Sequence, residues 1–99
     1  MSENSTLIVT AVPDSQNMEA VQEYLGGVMP LFMEAGGKLQ KRLKVNEVIK
    51  GNPSGMVLVM DFESAEVIQK LFGSEEYQKL VPVRDQGFKE MNILVCQGM

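Results

Sequence analysis

Histidine and tryptophan are absent from this chain, and cysteine occurs once. Without an imidazole there is no histidine base, no Ser-His or Cys-His nucleophile pair and no histidine metal site. A lone Cys96 cannot close an internal disulfide, which fits a reducing compartment. It stands in an apolar stretch with no basic neighbour in sequence, the setting of a buried, inert thiol. Positive charge is also short: 9 Lys and Arg against 13 Asp and Glu leave a net charge of -4. A surface of that sign is not built to hold a phosphate backbone, so no nucleic-acid partner is expected. Long hydrophobic runs are missing too. The stretch from Leu7 to Val12 is too short for a signal segment and far too short to span a bilayer, and no Lys or Arg precedes it. The expectation is a cytoplasmic protein with no membrane partner.

Cofactor chemistry is narrowed by the same absences. Haem lacks its usual imidazole ligand, and zinc lacks a set of nitrogen or thiolate ligands. A flavin or nicotinamide would call for a glycine-rich phosphate loop between strand and helix. The first such junction here is Val12-Pro13-Asp14-Ser15, which has no glycine and places an acid where a phosphate would sit. The expectation is no cofactor and no metal.

What is present is an ordinary globular composition, 44% hydrophobic over 99 residues. That length suits a single domain over residues 1–99 and one modest core. Leu7 to Val12 is rich in β-branched residues and is stopped by Pro13-Asp14, which predicts strand one. Asp14 or Ser15 can cap the helix that follows. Met18, Val21, Leu25, Val28, Phe32 and Ala35 form its apolar stripe, widened by Tyr24 and Leu31. Pro30 predicts a bend, and Gly36-Gly37 predicts the end of the helix.

Lys38 to Lys50 alternates in polarity and predicts strand two at a sheet edge. Leu39, Leu43 and Val45 share one face, Lys41 breaks that apolar side, and the parity breaks at Val48-Ile49. Residues 51–55, Gly-Asn-Pro-Ser-Gly, form a turn. Met56 to Phe62 predicts strand three, apolar on both faces. Ser64 caps helix two, with Val67, Ile68, Leu71 and Phe72 facing inward and Gly73 ending it. Ser74 caps a further helical turn, and Pro82 disfavours helix at Val81. Met91 to Cys96 predicts strand four.

The order βαββαβ and the handedness of crossovers give an α+β, ferredoxin-like sandwich. Its antiparallel sheet runs 4-1-3-2 with both helices on one face. Strands one and three are apolar on both faces, and two helices cover only one. The other face would then expose an apolar patch on the order of several hundred Å2, which soluble monomers rarely tolerate. A second copy of the same sheet is the simplest cover, giving a homodimeric α/β barrel that also protects the edge strands.

The stretch from Gly36-Gly37-Lys38 to Gly98 resembles the family known as domain of unknown function 1330. The residues that carry this are Gly36-Gly37, Phe62, Ser74 with Glu76-Tyr77, Leu80, Arg84 and Gly98. Asp61 stands where that family usually has glutamate, and Lys50-Gly51 where Glu-Gly is common. The resemblance implies membership of the dimeric α/β-barrel superfamily. That superfamily includes cofactor-free monooxygenases, haem-degrading enzymes, isomerases and plain binding proteins. A haem site built on Asn, Trp and His does not carry over, because Trp and His are missing.

Arg84, Tyr77 and Asp61 are the candidate ligand-binding residues. In the functional reading Arg84 holds an anionic ligand and Tyr77 donates a hydrogen bond at the barrel mouth. In the structural reading, the one the sequence favours, Arg84 pairs with a carboxylate such as Asp61 or Glu76 and ties the second helical region to the sheet. Asp61 and Glu63 share one face and could act as an acid–base pair, or sit solvated at a strand end. Lys38, Lys41, Arg42 and Lys44 read as charges guarding an edge strand, and the eight methionines as adaptable core filler.

The expected function is a small homodimer that binds a small apolar or aromatic molecule in or at the barrel. A cofactor-free monooxygenase or isomerase is one alternative; an interaction module with a filled core is another. Polar groups inside the barrel discriminate them, since an enzyme needs a titratable group there and a filled core needs none.

Overall fold

Alternation of buried and half-buried side chains marks the two central strands at once: Leu7, Val9 and Ala11 in one, Leu58, Met60 and Phe62 in the other. The computed structural model of the protein describes residues 4–52 and 55–99, so Pro53 and Ser54 of the expected turn lie outside the described residues. The elements are β1 (Ser5–Pro13), α1 (Met18–Glu34), β2 (Lys38–Lys44), β3 (Met56–Phe62), α2 (Ala65–Gly73), α3 (Glu75–Gln78), α4 (Val81–Gly87) and β4 (Phe88–Cys96). The sheet runs β2-β3-β1-β4 with every neighbouring pair antiparallel. This is the expected 4-1-3-2 order of a ferredoxin-like sandwich.

The core lies between the sheet and the helices. Val21, Tyr24, Val28 and Phe32 of α1 and Ile68 and Leu71 of α2 pack against the inward residues of β1 and β3. Gly36, at φ +86°, turns the chain out of α1 as glycine does at little cost. Ser64 caps α2 by accepting from the Val67 N–H at 3.3 Å. Among the described residues no helix is long and apolar enough to cross a membrane.

Several expectations need correction. Asp14 does not cap α1. Its carboxylate accepts from the Gln16 N–H at 2.9 Å and the Asn17 side chain at 3.1 Å, closing a local turn, so the helix starts only at Met18. Met18 is exposed, and Tyr24 takes its place in the buried stripe. Pro30 lies inside α1 as expected, on its exposed side, and the helix runs on to Glu34. Strand two stops at Lys44 instead of Lys50, and its parity breaks earlier than expected. A register shift between Leu39 and Lys41 sends Leu39 to the helix side opposite Met60, and Leu43 to the other face opposite Val57.

Pro82 does not break the chain's helicity. Val81 and Pro82 occupy the first turn of α4, where a missing N–H costs no intrahelical bond. The helix runs to Gly87, and β4 begins at Phe88, three residues before the expected start.

The sheet face away from the helices is mixed, where an apolar face was expected. Register places Lys41, Val59, Ile8 and Leu94 in one row across it. Leu43, Val57, Thr10 and Asn92 form the next, and Lys38, Asp61, Thr6 and Cys96 a third. Leu43 and Leu94 are 47% and 48% exposed there. The Asn92 amide donates to Thr10 Oγ1 at 3.2 Å. Cys96, expected to be buried, is half-buried on this face.

Candidate functional site

All six aromatic residues of the chain, two Tyr and four Phe, join in one edge-to-face series. It runs Phe62–Phe32–Phe72–Tyr77–Tyr24–Phe88, with ring centroids between 4.7 and 6.2 Å apart. Such pairs add to simple area burial and fix ring orientation. They hold the two phenols in the core, Tyr24 at 3% and Tyr77 at 2% exposure.

Ser74 sets the position of Tyr77. Its hydroxyl donates to the Leu71 carbonyl at 2.7 Å and accepts from the Tyr77 N–H at 3.2 Å. One side chain therefore closes α2 and caps the single turn of α3. The Gln78 amide donates to the Phe72 carbonyl at 2.8 Å and braces the same corner. Close backbone approach holds α4 against α1. A Cβ at Gly87 would lie 2.8 Å from the Val21 backbone N, and one at Gly27 would lie 2.7 Å from the Leu80 side chain. Only glycine permits the first of these without backbone movement.

The result is a short polar chain. The Tyr24 and Tyr77 hydroxyls are 2.9 Å apart, and Arg84 Nη1 donates to the Tyr77 hydroxyl at 3.0 Å. Arg84 Nε donates to Asp85 Oδ1 at 3.2 Å. The guanidinium carbon also sits 5.9 Å from the Tyr77 ring centre, in cation–π range. Burial, then the hydrogen bond with Tyr77, pushes the Tyr24 phenol far above its ordinary value, so it stays neutral. Burial works against the Arg84 charge, but Tyr77 and Asp85 outweigh it and hold the guanidinium above its ordinary value.

Arg84 is 26% exposed and lies where two surface grooves meet. The larger, about 590 Å3, runs between α2–α4 and β4 over Ile68, Phe72, Val81, Ile93 and Val95. The smaller, about 480 Å3, is lined by Asp85, Lys89 and Glu90 among others, with Arg84 and Ile93 common to both. A guanidinium at the end of an apolar trough can bind the anionic end of a ligand whose body lies on the trough. Among the described residues no group of three or more His, Cys, Asp or Glu gathers to hold a metal.

The structure brings Arg84 and Tyr77 together and leaves Asp61 apart. Arg84 pairs with Tyr77 and Asp85, and neither Asp61 nor Glu76 is its partner. Asp61 lies on the open sheet face, opposite Lys38 in register, and accepts from Thr6 Oγ1 at 2.7 Å. It lines a separate hollow of about 290 Å3 with Lys38, Phe62 and Glu63. Tyr24 is the residue that sequence reasoning missed. Its place in the α1 stripe made it look like a widening of the core, and only its being the second of two tyrosines hinted at more.

A family model described as Domain of unknown function (DUF1330) matches residues 5–99. No curated protein matches the sequence. Solved structures do match in fold. A protein of unknown function from Rhodopseudomonas palustris is 13% identical with a TM-score of 0.83, covering 100% of this chain and 85% of its own. A dimeric protein of unknown function with a ferredoxin-like fold from Bacteroides fragilis is 8% identical, TM-score 0.64, covering 96% of each chain. A candidate antibiotic biosynthesis monooxygenase from Nitrosomonas europaea is 12% identical, TM-score 0.67, covering 100% of this chain and 93% of its own. At these identities the likeness is one of fold.

Proposed function

The chain belongs to the DUF1330 family, and from that premise we propose that it works as a homodimer binding a small molecule with an apolar body. The binding site is the groove between α2–α4 and β4, gripped at one end by Arg84 and Tyr77. The observation that carries this reading is the half-used guanidinium: Arg84 spends two donors on Tyr77 and Asp85, keeps the others, and lines an apolar trough. Dimerisation is supported by Ile8, Val57, Val59 and Leu94 on the open sheet face and by a structural relative described as dimeric. Titrating small aromatic molecules into 15N-labelled protein tests the site. Shifts centred on Tyr77, Arg84 and Ile93 are expected, and shifts scattered over the surface would contradict it.

A second reading is a cofactor-free oxygenase or isomerase acting on an aromatic or enolic substrate. It is favoured by Asp61, a carboxylate on the face that a second sheet would cover, and by the fold shared with the Nitrosomonas europaea protein. Turnover of an enolic substrate that is lost in Asp61→Asn would select this reading; turnover unaffected by that change would remove it.

A further inference from the structure

The protons of the buried tyrosine pair do not balance. Arg84 can only donate, so the Tyr77 oxygen accepts from it. The contact between the Tyr24 and Tyr77 hydroxyls uses one phenolic proton. The other has no acceptor among the described residues. If Tyr77 donated to Tyr24, the stranded O–H would belong to Tyr24, in the core beside Phe88. That arrangement costs the desolvation of a hydroxyl with nothing in return. If Tyr24 donates, the spare proton belongs to Tyr77, which is as deeply buried as Tyr24 but is the one of the two that lines the groove, beside Arg84, where a ligand oxygen can take it.

We infer that Tyr24 fixes the Tyr77 hydroxyl as a donor, so that Tyr77 and Arg84 form an all-donor clamp for a carboxylate carried on an apolar body. This rests on the proposal that the groove is a ligand site and names what it takes. The Tyr77 oxygen accepts from Tyr24 and from Arg84, which fills both its lone pairs and leaves only its proton to offer. Arg84 likewise presents only N–H groups. A carboxylate, which is acceptor-only, satisfies every one of these donors; an alcohol brings a proton with no acceptor to meet it, and a cation is repelled. Ile93 and Phe72 supply apolar wall for the rest of the molecule. Tyr24 is a positioning residue: it touches no ligand and acts through Tyr77.

Three probes of one shape test this on the unmutated full chain by 15N shift titration: benzoate, benzyl alcohol and benzamidine. Benzoate is expected to bind at least about tenfold more tightly than benzyl alcohol, the worth of one charge-assisted hydrogen bond, with no binding of benzamidine. In Tyr24→Phe the ratio of benzoate to benzyl alcohol affinity is expected to narrow. General loosening of the fold would weaken both ligands and leave the ratio alone. If benzoate and benzyl alcohol bind the groove equally, the clamp is wrong and the groove stands. If no probe shifts a groove residue, clamp and groove both fall. Benzoate shifts confined to surface lysines mean adventitious anion binding only and overturn the clamp.

Discussion

Tyr24 and Tyr77, 53 residues apart, meet at 2.9 Å between hydroxyls in the core, and Arg84 closes the chain from the surface side at 3.0 Å. One polar thread therefore crosses from the middle of α1 to a groove at the edge of the sheet. Its two ends respond differently to mutation.

Tyr77→Phe leaves the buried Tyr24 hydroxyl without its partner and takes from Arg84 one of its two, Asp85 remaining, whereas Tyr24→Phe leaves Tyr77 still bonded to Arg84. Tyr77→Phe is expected to cost about 1–3 kcal/mol and Tyr24→Phe less, since stranding a buried polar group costs more than losing one bond. Urea unfolding at neutral pH reads the order; the reverse order would show that Tyr77 is not the hub.

Gly87→Ala is expected to destabilise by about 1–3 kcal/mol, because the new methyl meets the Val21 backbone and α4 must move. Gly27→Ala meets only the end of the Leu80 side chain, and helix propensity gains about 0.5–1 kcal/mol in return, so little net change is expected. Thermal melts of the two variants decide it, and equal losses would contradict the close packing of α4 on α1.

Alkaline stability follows from Tyr24. Its folded value is raised, so the folded protein keeps a proton that the unfolded chain releases above about pH 10. The stabilisation is complete below that pH and is lost as pH rises further, at up to about 1.4 kcal/mol per pH unit. Unfolding free energy measured from pH 9 to 11 is expected to fall less steeply in Tyr24→Phe. Equal slopes would mean that Tyr24 ionises freely in the fold.

Ile8 sits mid-sheet between Val59 and Leu94 on the open face. If a second copy covers that face, light scattering on the unmutated protein gives about twice the chain mass of 11.0 kDa. Ile8→Lys is then expected to give the single mass with near-unchanged helix content. A single-mass unmutated protein would remove the dimer.

The sequence carried the sheet order, the glycine exit from α1 and the serine caps, because each is written in local periodicity or in one residue's chemistry. Ser74 is the clearest case: its hydroxyl caps α3 as its place before Glu75-Glu76-Tyr77 suggests. Pro82 misled because a proline reads alike whether it breaks a helix or opens one, and the packing of α4 on α1 decides that. The bulge between Leu39 and Lys41 showed in the sequence only as Lys41 breaking the apolar side of the strand, which alone does not tell a bulge from an exposed edge position. Arg84 and Tyr77 were legible as candidates. That Asp85 and Tyr24 are their neighbours, while Asp61 is not, depends on how distant segments meet.

The central claim is that Arg84 grips a ligand and is not chiefly a tie within the fold. Measuring unfolding free energy and benzoate affinity together on Arg84→Gln tests it most directly. The expected result is a stability loss of about 1–2 kcal/mol, the two solvent-accessible hydrogen bonds to Tyr77 and Asp85, with benzoate affinity down at least about tenfold. A loss of about 3 kcal/mol or more with benzoate affinity unchanged would contradict the account and make Arg84 a structural residue.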